Sequence, residues 1–330
     1  MTGASGFIGS ALAVHLAVTG RRVRGIYHRG GPEARMRGLV DAGVNLERHD
    51  LTTEKGACVA LRGCSTVVHC AAAVGDWGVP SKFQRQNVEM SRIVTSAAAV
   101  AGCHRFVHAS SAAVHGFGPH VCSTEDGPFY APVSHYQKSK LAAERIVRRI
   151  SPDSVILRLG NVYGPDDTTS FYRILQAIDR GLPAFIDGGR HLTCPVYIED
   201  VVHAFGLALE VEAAEGKVFL ITGGEEVRWR ELLSYAAQQL DCNPPRRSLP
   251  AWLALPAARL VEQIYNRLSL VSEPPLTVYR VAQVAHDYHF SINQARMLLG
   301  FVPSVGFQQG VDQTVRSYRE IHRKGVCCSR

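Results

Sequence analysis

The sequence predicts an α/β protein: a doubly wound parallel sheet whose first strand is cut short, with a smaller, mostly helical C-terminal lobe. Three observations carry this expectation. Short β-branched runs alternate with helix-length segments along much of the 330 residues, as parallel strands joined by crossover helices do. Gly3, Gly6 and Gly9 stand at three-residue spacing, which suits a backbone turning tightly onto a pyrophosphate before a helix. Beyond Gly224 the alternation is broken by Pro244, Pro245, Pro250, Pro256, Pro274 and Pro275, which mark an irregular second lobe.

Taken in order, the chain opens MTGASGFIGS, with only Met1 and Thr2 where the strand feeding the glycine turn belongs. The reading is that the sequence starts late. A stub of one or two residues is expected between the flanking strands, with the Gly3 to Gly9 turn poorly anchored. The runs RRVRGIY, VNLERHD, STVVHC, CHRFVHAS, SVILRLG and KVFLIT then read as strands, with helical patterns at Val88 to Ala101 and Ser134 to Ile150. Residues 1–160 with about 195–224 form the expected dinucleotide-binding domain, and about 161–194 with 225–330 the substrate lobe.

Composition narrows the function classes. Apolar residues make up 46% and charged residues 20%, the balance of a soluble globular protein. No apolar run reaches the roughly 18–20 residues of a membrane-spanning helix, and no cleavable signal opens the chain, so a cytoplasmic location is expected. The nine cysteines form no C-x-x-C pair, so no metal site is expected. The tail CCSR lacks a C-a-a-X box and reads as an exposed tail. The net charge is +7, yet the basic residues are dispersed and no nucleic-acid partner is expected. Arg21, Arg22, Arg24, Arg29, Arg35 and Arg37 are the exception, crowding the stretch where a dinucleotide's adenosine end would lie.

The stretch SHYQKSKLAAERIV sets Tyr136 and Lys140 four residues apart, on one face of a helix. Upstream, FVHASSAAVHG reads as a buried strand ending in Ser110 and Ser111. Together they suit hydride-transfer chemistry. Ser111 would hydrogen-bond the substrate oxygen, Tyr136 would exchange the proton, and Lys140 would lower the phenol's pKa by its charge.

At these residues the chain resembles the extended short-chain dehydrogenases/reductases. The resemblance rests on TGASGFIG at 2–9, HDL at 49–51, VVHCAA at 67–72, Asn87, ASSAAVHG at 109–116, YQKSK at 136–140, RLGNVYGP at 158–165 and VYIED at 196–200. It covers essentially the whole chain and implies a Rossmann sheet, with Ser111, Tyr136 and Lys140 catalytic and Asn87 holding the proton-relay geometry. It further implies Phe7 and Ile8 along the pyrophosphate, Asp50 and Leu51 at the adenine, Ala71, Ala72 and Ala73 near the ribose and diphosphate, and Gly160, Asn161 and Val162 near the nicotinamide. An NAD site usually carries an acid at the end of the second strand. GIYHRGG has His28 and Arg29 there instead, with Arg35 close by, so NADP(H) is favoured over NAD(H).

Ser111 is followed by Ala112 and Ala113 rather than the acidic pair of nucleotide-sugar dehydratases. Thr193 and Cys194 replace the arginine that epimerases of the family carry before the tyrosine of VYIED, although Arg190 is near. The C-terminal segments from Leu249 to Leu268 and Glu273 to Pro303 are similar to those of 3β-hydroxysteroid dehydrogenase-like enzymes, a group that includes sterol dehydrogenases and 2-alkyl-3-oxoalkanoate reductases. The expected activity is therefore the interconversion of a secondary alcohol and a ketone on a hydrophobic small molecule, with the apolar helix around Trp252 covering it. A nucleotide-sugar 4-epimerase and a non-catalytic dinucleotide sensor are the alternatives. The small residues Ser91, Ser96, Ala97, Ala98 and Ala99 suggest close helix packing in a homodimer.

Overall fold

The computed structural model describes residues 1–181, 184–268, 270 and 272–327. Its strands are β1 (Arg24–Tyr27), β2 (Asn45–Arg48), β3 (Thr66–His69), β4 (Arg105–Ser111), β5 (His120–Ser123), β6 (Val155–Leu159) and β7 (Asn161–Tyr163). There follow β8 (Ala184–Ile186), β9 (Leu192–Thr193), β10 (Pro195–Tyr197), β11 (Val218–Ile221), β12 (Val227–Arg228), β13 (Arg247–Leu249) and β14 (Tyr288–Phe290). The six apolar runs of the sequence become β1, β2, β3, β4, β6 and β11. They lie parallel in the order β2-β1-stub-β3-β4-β6-β11, the stub being the first residues of the chain.

Helices cover both faces because alternate residues of buried strands point to opposite sides. Val107 and Leu157 meet Leu12, Ala13 and Leu16 of α1 (Phe7–Val18) on one face, with Val201 and Phe205 of a later helix. Phe106 and Ile156 meet the other face. There they pack on α3 (Glu54–Leu61), which follows α2 (Glu33–Asp41), and, beyond α4 (Pro80–Phe83), on α5 (Met90–Val100) and α6 (His135–Ile150). A separate core joins α7 (Phe171–Asp179), α9 (Trp229–Gln239) and α12 (Phe307–Cys327), with α8 (Ile198–Glu210) carrying Val201 and Phe205 between them in sequence. Two further helices, α10 (Ala251–Arg267) and α11 (Val278–Val284), pack on each other through Ala254, Ala258, Val278 and Val281.

The start of the chain is tied down more firmly than its length suggests. Thr2 forms one-residue parallel bridges to Ile26 and His69, its N–H donates to the Val68 carbonyl at 2.9 Å, and the Ile26 N–H donates to the Met1 carbonyl at 2.7 Å. The expected stub is there, but the expectation of a poorly anchored turn is corrected. Thr2 Oγ1 accepts from the Ala71 N–H at 3.2 Å and lies 2.8 Å from His69 Nδ1, whose Nε2 lies 3.0 Å from Ser91 Oγ on α5. Side-chain bonds replace the ladder that a longer strand would supply.

Several surface expectations also change. Arg21 pairs with Glu210, Arg24 with Glu47 and Arg37 with Glu33, so half of the early arginine crowd serves the protein's own fold. Ser91, Ala97 and Ala98 are buried within the chain, leaving Ser96 and Ala99 as the small residues of α5 with any exposure. Trp252 is 72% exposed, and α10 buries its alanine face against α11. Residues 328–330, most of the CCSR tail, lie outside the described residues. Among the described residues no helix is long and apolar enough to cross a membrane.

Candidate active site

A glycine turn leads from Thr2 into α1, and two of its glycines leave no room for a side chain. A Cβ on Gly9 would sit 2.1 Å from the Gly3 carbonyl oxygen, and one on Gly3, whose φ is +72°, would sit 2.7 Å from the Ala71 nitrogen. Gly6 caps α1 with no side-chain hydrogen bond. The first N–H groups of α1, from Phe7, Ile8 and Gly9, thus begin a helix whose positive end no side chain closes, the geometry that takes a phosphate. The residues present therefore fit a dinucleotide's pyrophosphate.

Several of the other residues expected at the cofactor lie at or just beyond strand ends. His28 and Arg29 follow β1 and are exposed, and Ser5 Oγ donates to the Arg29 carbonyl at 2.9 Å. Arg35 is otherwise engaged: its guanidinium donates to the carbonyls of Ser5 (3.2 Å) and Asp166 (2.6 Å). Asp50, after β2, accepts from the N–H and hydroxyl of Thr52, which hold its carboxyl below the usual range. Leu51 is buried beside it. Gly160 lies between β6 and β7, where a Cβ would meet the Cys194 carbonyl at 2.5 Å. Asn161 bridges Thr193 and Gln283, and Val162 packs between the two main cores.

Tyr136 owes its position to the start of α6. Ser134 Oγ accepts from the Gln137 N–H while Gln137 Oε1 accepts from the Ser134 N–H, a reciprocal cap that fixes the helix's first turn. Tyr136 then stands beside Ser111 at the end of β4, and the serine opposes the burial that pushes the phenol's pKa up. One turn on, Lys140 is buried and its Nζ donates to the Ala109 carbonyl at 2.5 Å. Burial pushes its pKa down to about 8. In this arrangement Ser111 is the group beside the phenol that favours the phenolate, and the Lys140 ammonium is held by the Ala109 carbonyl.

Asn87 ties these parts together. Its side chain donates to the Ala73 carbonyl and to Ser139 Oγ, and accepts from the Ala73 N–H at 2.6 Å; Ser139 in turn donates to the Tyr136 carbonyl. Asn87 belongs to a π-helical turn, Gln84–Glu89, whose extra residue per turn re-aims side chains at functional sites. Ala71 and Ala73 are thereby held at both ends, by Thr2 and by Asn87, with Ala72 between them.

Sequence reasoning did not single out Tyr279 and Phe83, whose rings each lie 6.5 Å from that of Tyr136. Phe117 stacks edge-on against Tyr279 at 4.8 Å. No local signal marks Tyr279, because it reaches the site from α11, far along the chain. DWG at 76–78 acts as a dock rather than as a turn alone. Asp76 takes hydrogen bonds from Thr277 and Arg280, and Trp77 meets Tyr265 edge-on.

Behind the serines lies a buried ion pair that the sequence also concealed. Arg158 of β6 grips Glu144 of α6 through two nitrogens, at 2.6 and 3.1 Å, and donates to the Glu125 carbonyl and to His115 Nε2. Ser110 donates to the same carboxylate at 2.9 Å. His115 and His69 are both held neutral, with burial pushing each pKa down to about 3. A histidine near 3 in the folded state and 6.5 in the unfolded chain binds protons first on unfolding. Its contribution is complete above pH 6.5 and is lost as pH falls toward 3, at up to about 1.4 kcal/mol per pH unit. Urea unfolding is expected to show stability falling through this window, and His69→Asn to make the dependence shallower by close to one proton; an unchanged slope would count against the assignment.

A glycine cradle for a dinucleotide beside a serine–tyrosine–lysine cluster defines an oxidoreductase acting on CH–OH groups. The sequence profile of the NAD dependent epimerase/dehydratase family matches residues 1–222, and the chain belongs to that family, among its extended short-chain dehydrogenases/reductases. Sterol-4-alpha-carboxylate 3-dehydrogenase, decarboxylating, of Bos taurus is 29% identical over 97% of this chain and 92% of its own. The 2-alkyl-3-oxoalkanoate reductase of Stenotrophomonas maltophilia is 27% identical over 94% and 96%. The solved structure of MoeE5 in complex with UDP-glucuronic acid and NAD superposes with a TM-score of 0.75 at 27% identity, covering 97% of this chain and 98% of that one.

Proposed function

We propose that the protein interconverts a secondary alcohol and a ketone on a hydrophobic substrate, steroid-like or β-hydroxyacyl-like, with NADP(H) as its preferred cofactor. The observation that carries this reading is the placement of Ser111 beside the Tyr136 phenol, one helical turn from a buried lysine whose Nζ meets the Ala109 carbonyl. A bound nicotinamide dinucleotide supplies or accepts the hydride at the reacting carbon. Ser111 donates to the substrate oxygen, and Tyr136 takes the proton from the alcohol or returns it to the ketone. Lys140, still largely protonated at neutral pH with a pKa near 8, contributes positive charge to this pocket and favours the phenolate. Asn87 holds α6 against the Ala73 segment, so the Tyr136 backbone cannot drift from β4.

A hydrophobic substrate is supported by the rings of Phe83 and Tyr279 beside Tyr136, with Phe117 behind Tyr279, and by the names of the bovine and Stenotrophomonas relatives. The position before the tyrosine of VYIED offers no cation: Thr193 and Cys194 are buried, and Arg190 turns toward Asp187 at the surface. The likeness to MoeE5 favours a second reading, a nucleotide-sugar 4-epimerase. NADPH oxidation measured against steroid ketones, β-keto esters and UDP-sugars separates the two. Turnover of the first two classes is expected. Tightly retained NAD, with UDP-sugar conversion needing no added cofactor, would replace this reading with the epimerase.

The cofactor preference rests on Arg29, exposed just beyond β1 where an acid would select NAD. A charge-assisted bond to a 2′-phosphate is worth about 1.5–3 kcal/mol, so Arg29→Ala should raise the KM for NADPH by about 10- to 100-fold while leaving that for NADH nearly unchanged. A strong NADH preference that Arg29→Ala does not alter would reject the assignment.

A further inference from the structure

A cluster of possible metal ligands stands apart from the residues of the active site. Cys122 of β5, Glu226 ahead of β12 and His289 of β14 bring a thiol, a carboxylate and an imidazole nitrogen within 4.8 Å of one another. No C-x-x-C or histidine pair announces this set, because the three residues come from segments more than a hundred and more than sixty positions apart along the chain.

The backbone brings them together. β14 pairs with β5 in parallel, but Tyr288 faces His120 while Phe290 faces Ser123, so one strand carries an extra residue opposite His289. Such bulges re-aim a side chain. Cys122 sits at the bulge with φ +52°, a conformation that non-glycine residues rarely adopt, and its Sγ lies 3.6 Å from His289 Nδ1. The imidazole is 5% exposed, and its Nε2 has no hydrogen-bond partner. Nδ1 is the ring nitrogen that faces the thiol and would take a cation. Burial lowers the pKa of His289, leaving the ring neutral and able to offer a lone pair.

We propose that Cys122, Glu226 and His289 bind a single zinc-class divalent cation, which staples the β5 and β14 strands to the segment before β12. Thiolate, imidazole and carboxylate together suit Zn²⁺, at bond lengths of about 2.0–2.3 Å. Tetrahedral ligands at those lengths lie roughly 3.3–3.7 Å apart, so the cluster needs to contract by about 1 Å. Cys122 and Glu226 are exposed and are the two side chains free to make that movement. Binding forms a metal–sulfur bond and releases the thiol proton to solvent, with no change in oxidation state. Three protein ligands leave a fourth position for water. His289 lies between Tyr288 and Phe290, both in the core that also holds Phe117, Ala112 and Ala282, so the staple would stiffen the wall behind the aromatic rings near Tyr136.

The test titrates the full-length protein, stripped with a chelator, with Co²⁺ and then Zn²⁺. One Co²⁺ per chain should produce a thiolate-to-cobalt charge-transfer band in the near ultraviolet, bleached when Zn²⁺ displaces it. Cys122→Ser should abolish the band and Glu226→Gln should weaken binding by at least about tenfold, both at exposed positions where folding is not at stake. Cys58→Ser, at another exposed cysteine, should leave the band unchanged. Zn²⁺ should raise the midpoint of thermal unfolding in the parent and the Cys58→Ser variant but not in Cys122→Ser. A charge-transfer band that survives Cys122→Ser, or no band at stoichiometric Co²⁺, would overturn the proposal.

Discussion

Tyr136→Phe is expected to lower kcat/KM for the carbonyl substrate by about 10²- to 10⁴-fold, the share a positioned proton donor contributes, while the dissociation constant for the dinucleotide stays within a few-fold of the parent value. The substitution removes one hydroxyl and leaves the ring, whose contacts with Phe83 and Tyr279 hold the side chain in place, so a loss of activity reads out proton transfer rather than folding. Ser111→Ala offers a graded comparison. It deletes the partner of the phenol without touching the proton donor, and should cost less than Tyr136→Phe. Single-turnover measurement with NADPH distinguishes the outcomes. Activity that survives Tyr136→Phe would assign the proton to another group and dismantle the proposed roles of Ser111 and Lys140 with it.

The second large effect concerns stability. Arg158→Met should destabilise the protein by about 3–5 kcal/mol in urea unfolding, because removing one partner of a buried ion pair leaves the other charge without compensation. Both side chains are nearly inaccessible, at 6% and 3%. Arg158 also satisfies the Glu125 carbonyl and His115 Nε2, whose unmet acceptors add to the loss. The double variant Arg158→Met with Glu144→Leu should recover most of this stability, since an apolar pair of similar volume replaces a buried ion pair at little net cost. Equal destabilisation in the single and double variants would place the cost in packing rather than in the orphaned carboxylate.

The sheet was legible because parallel strands covered on both faces read as short apolar runs, and all six such runs became its strands. Ser111, Tyr136 and Lys140 were legible for a related reason: they sit on two elements close in sequence, β4 and α6, so helical spacing and strand end already suggest a shared site. What spacing does not encode is partnership across the chain. Arg280 reaches back 204 positions to Asp76, and Tyr279 arrives beside Tyr136 from the same helix. Periodicity also marks an apolar helix face without saying what covers it. The helix around Trp252 packs its alanine side on α11 and leaves the tryptophan exposed, an arrangement that its apolar pattern does not assign. The π-helical turn at Asn87 was not legible, because the extra residue per turn leaves no mark in composition. At the chain start, one threonine side chain supplies bonds to His69 and Ala71 that composition does not announce.

The dock between Asp76 and Arg280 has a consequence for anyone wishing to change what the enzyme accepts. The obvious route is to transplant the segment from Glu273 to Pro303 from a relative with a different substrate. Yet Asp76 lies on the loop that runs on from Ala71, Ala72 and Ala73, and its carboxylate holds both Thr277 and Arg280. A grafted segment lacking those two side chains would leave a largely buried carboxylate facing nothing, and the disturbance would travel along the loop toward the cofactor end. Residues 76, 277 and 280 therefore form one heritable unit. A chimera that moves them together keeps its cradle, and one that separates them trades a new pocket for a loosened one.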